Sequence, residues 1–354
     1  MRATRCKRLF TFFLILESLF FSTISFATED RDVSETEKRA GFTVQPVLPE
    51  NQINSEVSYF HLPIQRGENQ VVSVKLMNNT DKEERYRVQV VPAATNKNGM
   101  ITYNEIDKSV DSSMEISIKE IVKPKESEIT VPAYGTVEAA LEIVPPAEKF
   151  SGILLGGIYI TPPSKENTDK SQGVSVTNTY GYSIGIVLTE DLATPIFGET
   201  DLHLLDVSPE IDYGSKIVEA VIQNPYPEAM EQLTVEGRIV QKGKDKTIIN
   251  NTLKDVRIAP NSVFPFQLDW GMNQVTPGDY TFKGAIKGKD KDWTFEKNFT
   301  ISGKTAEKMN KQTTFKIFIP DWWLSAFYLI GVLTCVVLLL LILRIIQRRK
   351  EKKK

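Results

Sequence analysis

The sequence predicts an all-β exported protein: two tandem immunoglobulin-like β-sandwich domains followed by a C-terminal transmembrane helix. Three observations predict it. Apolar and polar residues alternate with period two through most of the chain, both ends carry an apolar run with a basic flank, and the region between those ends has no cysteine. Of the 354 residues, 41% are hydrophobic and 25% charged, a balance that fills cores and excludes global disorder. The length allows roughly two or three domains.

Residues 1–27 read as a secretory signal peptide. Arg2, Arg5, Lys7 and Arg8 precede the apolar run LFTFFLILESLFF, and Ser25-Phe26-Ala27 offers small residues at the two positions a signal peptidase reads. Glu17 interrupts the run, so an uncleaved anchor is the alternative. At the other end, residues 324–343 carry only hydroxyls and one thiol as polar groups. About 20 helical residues rise roughly 30 Å, the thickness of the hydrocarbon core. Trp322 and Trp323 suit the headgroup layer, and RIIQRRKEKKK (344–354) follows directly, so the positive-inside rule places the C-terminus in the cytoplasm and the domains outside the cell.

The formal net charge of −2 is unevenly spread: residues 1–27 contribute +3 and residues 344–354 contribute +6, which leaves −11 for the exported part. Such a region is a poor partner for nucleic acid. Of the two cysteines, Cys6 falls in the expected signal peptide, ahead of its apolar run, and Cys335 in the expected membrane helix. Disulfides, thiolate catalysis and Cys-ligated metals are therefore excluded from the ectodomain, a usage more typical of a bacterial surface than of an animal secretory pathway.

In residues 41–162, Val72, Val74 and Leu76 alternate with polar residues, as do Tyr86, Val88 and Val90, and Val137, Ala139, Leu141 and Ile143. These are half-buried strands, separated by turn chemistry at Asn78-Asn79-Thr80-Asp81, Asn98-Gly99 and Ala133-Tyr134-Gly135. Residues 173–303 repeat the layout through Leu233, Val235 and Ile239, then Phe264, Phe266 and Leu268, then Tyr280, Phe282 and Ile286, then Trp293, Phe295 and Phe299. VVSVKLMNNT corresponds to VEAVIQNPYP, each a strand ending in an Asn-led turn, and VPAYGTVEAALEI to IAPNSVFPFQLDW. Many short strands at this spacing predict two sandwiches in series. Between them TPPSKENTDKSQG (161–173) reads as a linker, or as a long hairpin loop, since alternation returns at Tyr180, Tyr182 and Ile184. GKTAEKMNKQTT opens a stalk over 304–319, with no apolar face, before the helix at 322–343.

Catalytic patterns are sparse. His61 and His203 stand far apart in sequence and outside any metal-ligand spacing, no G-x-S-x-G elbow surrounds a serine, and the adjacent acids Glu83 and Glu84 point to opposite faces of a strand. No pattern calls for a cofactor or metal. The ectodomain reads as a binding protein and not an enzyme, with a cell-wall hydrolase as the lesser alternative.

Several segments together resemble the WxL-interacting proteins of low-GC Gram-positive bacteria: Phe42, LPENQ (48–52), Tyr59-Phe60, ATNKNG (94–99) and FSGILLGGIYI (150–160) in the first half, and TNTYGYSIGIVL, VEAVIQNP, IAPNSVFPFQL, PGDYTF and WTFEKNFTI in the second. The resemblance implies a peptidoglycan-binding domain at 41–162 and a domain at 173–303 that engages WxL-domain surface proteins or host components such as extracellular matrix proteins. It hands over no individual ligand residues. Tyr59, Asn96, Asn98 and Tyr103 are candidates for holding glycan, with core packing and hairpin closure as the competing readings. Tyr213, Tyr226 and Trp270 are candidate partner anchors, each competing with core or turn packing. FSGILLGGIYI reads as the closing strand of the first sandwich; the alternative is an apolar ledge at the domain junction, where Gly152, Gly156 and Gly157 leave bare backbone for a ligand.

Overall fold

The computed structural model describes residues 41–107, 109–163, 180–244, 246–314 and 322–351; the expected signal peptide lies outside the described residues. Two β-sandwiches form, as the alternation predicts. The first contains β1 (Phe42–Val47), β2 (Phe60–Pro63), β3 (Gln70–Asn78), β4 (Glu84–Pro92), a small ribbon of β5 (Ala94–Thr95) and β6 (Ile101–Thr102), a single helical turn α1 (Ile118–Ile121), β7 (Val122–Pro124), β8 (Glu128–Val131), β9 (Thr136–Ile143), β10 (Leu154–Thr161) and β11 (Tyr182–Thr189). One sheet has the order β1-β3-β9-β7 and the other β2-β11-β10-β4-β8. Their inward residues, among them Phe42, Phe60, Val74, Leu76, Tyr86, Leu141 and Ile158, form one dry core. Phe42 packs on the Tyr86 ring at 4.6 Å and edge-on to Tyr182 at 5.0 Å.

The placement of β11 corrects the expected domain boundary. β10 and β11 pair antiparallel from Leu154↔Leu188 to Ile160↔Tyr182, and β11 also pairs parallel with β2 from Ile186↔Phe60 to Thr189↔Pro63. The segment read as a linker therefore joins two neighbouring strands of one sheet. The first sandwich runs through Thr189, and the crossing to the second lies between 190 and 202.

The second sandwich contains β12 (His203–Asp212), β13 (Ser215–Asn224), β14 (Met230–Gln241), β15 (Thr247–Ile258), β16 (Ser262–Asp269), β17 (Gly278–Lys287) and β18 (Asp292–Ile301), in sheets ordered β12-β13-β16 and β15-β14-β17-β18. Phe264, Phe266, Tyr280 and Phe282 fill its centre. The expected stalk is also corrected over 303–314. Helix α2 (Gly303–Gln312) begins at Ser302, whose Oγ accepts from Thr305 N at 3.0 Å. Ala306 and Met309, three apart and so on one face, are buried in the core. Asn310 exchanges two 2.9 Å hydrogen bonds with the Val275 backbone, and Thr313 Oγ1 donates to Gly214 O at 2.7 Å. Two small apolar contacts and this polar seam dock a helix whose low average hydrophobicity concealed it.

Helix α3 spans Trp322–Glu351. Its described side chains, from Phe327 to Ile342, are exposed and apolar apart from single hydroxyl and thiol groups. That stretch is shorter than the about 20 residues a bilayer requires, and among the described residues no helix is long and apolar enough to cross a membrane. The spanning expectation thus rests on the sequence of 324–343.

Candidate functional site: the domain junction and its exposed corners

The ribbon β5–β6 carries the first domain onto the second. Thr95, fully buried, accepts from Ala259 N through Oγ1 at 2.9 Å and lies 3.2 Å from Ser262 Oγ, which donates to Ala259 O at 2.9 Å. Arg257 N donates to Gly99 O at 2.8 Å, and Ile153 N to Pro227 O at 3.0 Å. Further out, Gln223 Nε2 donates to Asp111 Oδ1 at 2.7 Å, and Asn261 Nδ2 to Ser113 O at 2.9 Å. Lys97 pairs with Asp212 at 2.6 Å and stands 4.9 Å over the Tyr213 ring. An apolar cluster joins Ala93, Ile153, Leu155 and Val187 of the first domain to Ala229 and Ala259 of the second. Buried polar groups with partners on the opposite domain fix one geometry, because separating them strands donors and acceptors out of water.

The adjacent glycines Gly156 and Gly157 of FSGILLGGIYI point to opposite faces of β10, as strand alternation requires. A Cβ on Gly156 would stand 2.5 Å from Ile118 Cγ2 and 2.7 Å from Val91 O, inside the sandwich. One on Gly157, which pairs with Gly185 on β11, would stand 2.5 Å from Tyr103 Cβ and Cγ. Gly152, at φ 78°, lies against Pro227. The stretch is a strand buried on both faces, so the ledge reading is corrected: its bare backbone is covered by Ile118, Tyr103 and the second domain. Tyr59 and Tyr103 do come together, but both pack on the junction cluster. Burial pushes the Tyr103 phenol up to about 12, with Tyr59 adding to the rise and Arg257 opposing it.

The remaining candidates separate. Asn96 closes its own turn, its Oδ1 accepting from Asn98 N at 2.9 Å and Met100 N at 3.1 Å, while Asn98 is exposed. Trp270 is corrected from anchor to core: it is 4% exposed, lies edge-on to Tyr280 at 5.6 Å and donates to Gln274 O. Tyr213 is 92% exposed and Tyr226 is at the protein surface, so both remain available as anchors. A cleft of about 240 Å³ opens along the junction between Glu115, Lys149, Phe150, Pro225 and Pro227. Among the described residues no cluster of His, Cys, Asp or Glu could hold a metal. Burial lowers the His61 pKa. At Asp111 burial acts upward, but hydrogen bonds from Ser113 and Gln223 outweigh it and hold the carboxyl below its ordinary range.

Sequence reasoning passed over Tyr134, a 73% exposed aromatic at φ 51°. Its signal was the Ala133-Tyr134-Gly135 turn, which marks a tight reversal without telling which way the ring faces.

Two β-sandwiches joined through buried hydrogen bonds define a tandem β-sandwich protein. Profiles of two domain families match it: "WxL Interacting Protein, peptidoglycan binding domain" over 42–162 and "WxL Interacting Protein, host binding domain" over 171–311. The chain belongs to the WxL-interacting proteins. No curated protein sequence matches it. Among solved structures it is similar to the CsuC–CsuE chaperone–tip adhesion subunit complex of Acinetobacter baumannii (14% identity, 73% of this chain and 98% of that one, TM-score 0.30). It is also similar to the E. coli chaperone DraB (11%, 74% and 95%, 0.28) and to the Pseudomonas aeruginosa chaperone CupB2 (10%, 64% and 91%, 0.27).

Proposed function

We propose that the chain is a non-enzymatic, membrane-anchored adaptor that holds WxL-domain proteins at the Gram-positive cell wall, with the first sandwich on peptidoglycan and the second on the partner. The observation that carries the reading is the order of the two family domains in one chain, on sandwiches joined through the buried Thr95–Ala259–Ser262 seam. The apolar run 324–343 with its basic tail supports anchoring, outside face to the wall. Confinement of both ligands to a thin layer raises their effective concentration, so two modest affinities act as one strong attachment. Neither cofactor nor metal enters this mechanism.

The test is capture by the purified full chain in nanodiscs from a cell-surface extract, read by mass spectrometry, alongside co-sedimentation with insoluble peptidoglycan. Retention of a WxL-domain protein is the expected result; loss of both activities sinks the adaptor. The family description of the second domain as host-binding supports a second reading, an adhesin for host matrix proteins. Binding to immobilised matrix proteins without WxL capture would select it.

A further inference from the structure

The two sandwiches are built with the same corner. In the first, buried Asn78 donates through Nδ2 to the carbonyls of Lys82 (2.7 Å), Val131 (3.1 Å) and Pro132 (3.0 Å), and its Oδ1 accepts from Thr80 N (3.0 Å). In the second, buried Asn224 donates to Glu228 O (2.8 Å) and Ala259 O (3.1 Å), and accepts from Tyr226 N (3.2 Å). A residue in the left-handed region closes each corner. Tyr134 N donates to Thr80 O at 3.1 Å, and Asn261 N to Tyr226 O at 2.9 Å, at φ 51° and 44°. Tyr134 and Asn261 therefore occupy equivalent positions of a repeated device.

They differ in what they do there. Asn tolerates left-handed backbone, and Asn261 uses its amide to hold Ser113 O of the first domain and Pro225 O. On the second domain this corner is a docking seat. Tyr134 sits in the same backbone, which a residue with a Cβ adopts only against a steric penalty, yet its ring is 73% exposed and has no hydrogen bond or ring contact among the described residues. Folding does not account for a large aromatic in that place, and such strain persists where the surroundings fix it and function uses it. The three carbonyls clamped by Asn78 supply the rigidity.

We propose that Tyr134 is the stacking platform on which the first domain receives a sugar ring of the peptidoglycan glycan. Where Asn261 offers donors to peptide carbonyls, Tyr134 offers a flat apolar face that complements the C–H face of a pyranose and needs no net charge, as suits an acidic ectodomain. The exposed residues of the same corner are Asn79, Asp81, Lys82, Pro132 and Ala133, three polar side chains beside two small apolar ones, without the large apolar surround of a protein hot spot. The inference rests on the peptidoglycan reading of 42–162.

Co-sedimentation of the full chain in nanodiscs with purified insoluble peptidoglycan tests it. Tyr134→Asn suits the backbone better than tyrosine, so its melting temperature should equal or exceed wild type while binding falls at least tenfold. Tyr134→Trp should retain binding. Soluble β-1,4-linked N-acetylglucosamine oligomers should compete, and free stem peptides should not. Unchanged binding by Tyr134→Asn, competition by peptide alone, or an effect confined to WxL-protein capture overturns the inference while leaving the peptidoglycan reading intact. Failure of the wild-type chain to co-sediment overturns both.

Discussion

A fragment that stops where the first family match ends, at residue 162, should not fold. It lacks β11, which sits inside the five-stranded sheet between β2 and β10. Ile186 and Leu188 are fully buried and Ile184 is nearly so, at 5%, all within the first core. At about 1.5–3 kcal/mol for each buried aliphatic side chain, the three contribute roughly 4.5–9 kcal/mol. A whole domain is stable by only about 5–15 kcal/mol, so the loss is of the same size as the total, before counting the ladder bonds on both sides of the strand. Fragment 41–162 is expected to show no cooperative thermal transition by circular dichroism and to be degraded quickly by protease, whereas fragment 41–189 melts cooperatively. A synthetic peptide covering 180–190, added to 41–162, should restore protection. If 41–162 alone melts cooperatively within a few degrees of 41–189, the assignment of β11 to the first sandwich is wrong.

The two central glycines should separate by phenotype. Gly156→Val forces a side chain against Ile118 and the Val91 carbonyl and should cost the first domain about 1–3 kcal/mol or more as overpacking, seen as a lowered melting temperature. Gly157→Val instead displaces Tyr103 from its seat, so hydrogen exchange should rise at Thr95 and Ala259 before the sandwich itself weakens. The junction should also open at both extremes of pH. Asp111, held below the ordinary aspartate value of 3.8, contributes stability that is present above that value and lost as pH falls through its folded pKa. Tyr103, raised from 10.0 to about 12, contributes stability present below pH 10 and lost as pH rises toward 12. Interdomain distance by paired spin labels, scanned over pH, should stay constant between these windows; a change centred near neutrality would contradict the assignment.

Most strands were legible because one face of each is wet, and period-two alternation is a local property of the chain; β10, covered on both faces, is the exception. Val72-Val74-Leu76 and Phe264-Phe266-Leu268 announce their faces without reference to any partner. What the alternation does not carry is which strand lies beside which. The polar, proline-bearing composition of TPPSKENTDKSQG is the same for a linker and for a long loop, and only the pairing of Gly157 with Gly185 decides. Helix α2 was hidden for another reason: two small apolar residues, Ala306 and Met309, dock it, and the rest of its seam is hydrogen bonds. At the site level, Tyr59, Tyr103, Gly152 and Gly157 lie at the junction and Gly156 inside the first sandwich, placements that depend on strand pairing and not on local pattern. Trp270 is buried and Tyr134 exposed, a difference invisible in sequence, which does not show which way a turn aims a ring.

The position of β11 has a mechanical consequence. If the first sandwich is held by the wall and α3 by the membrane, any tension between them leaves the second sandwich through residues 190–202 and enters the first at Thr189, the end of β11. That strand is hydrogen-bonded on both sides, antiparallel to β10 and parallel to β2. A pull along its axis shears both ladders at once, so many bonds must yield together where a terminal edge strand would peel off one bond at a time. The strand that the second family match covers is thus the cable socket of the first sandwich, and resistance to stretching belongs to a unit, 41–189, that crosses the family boundary.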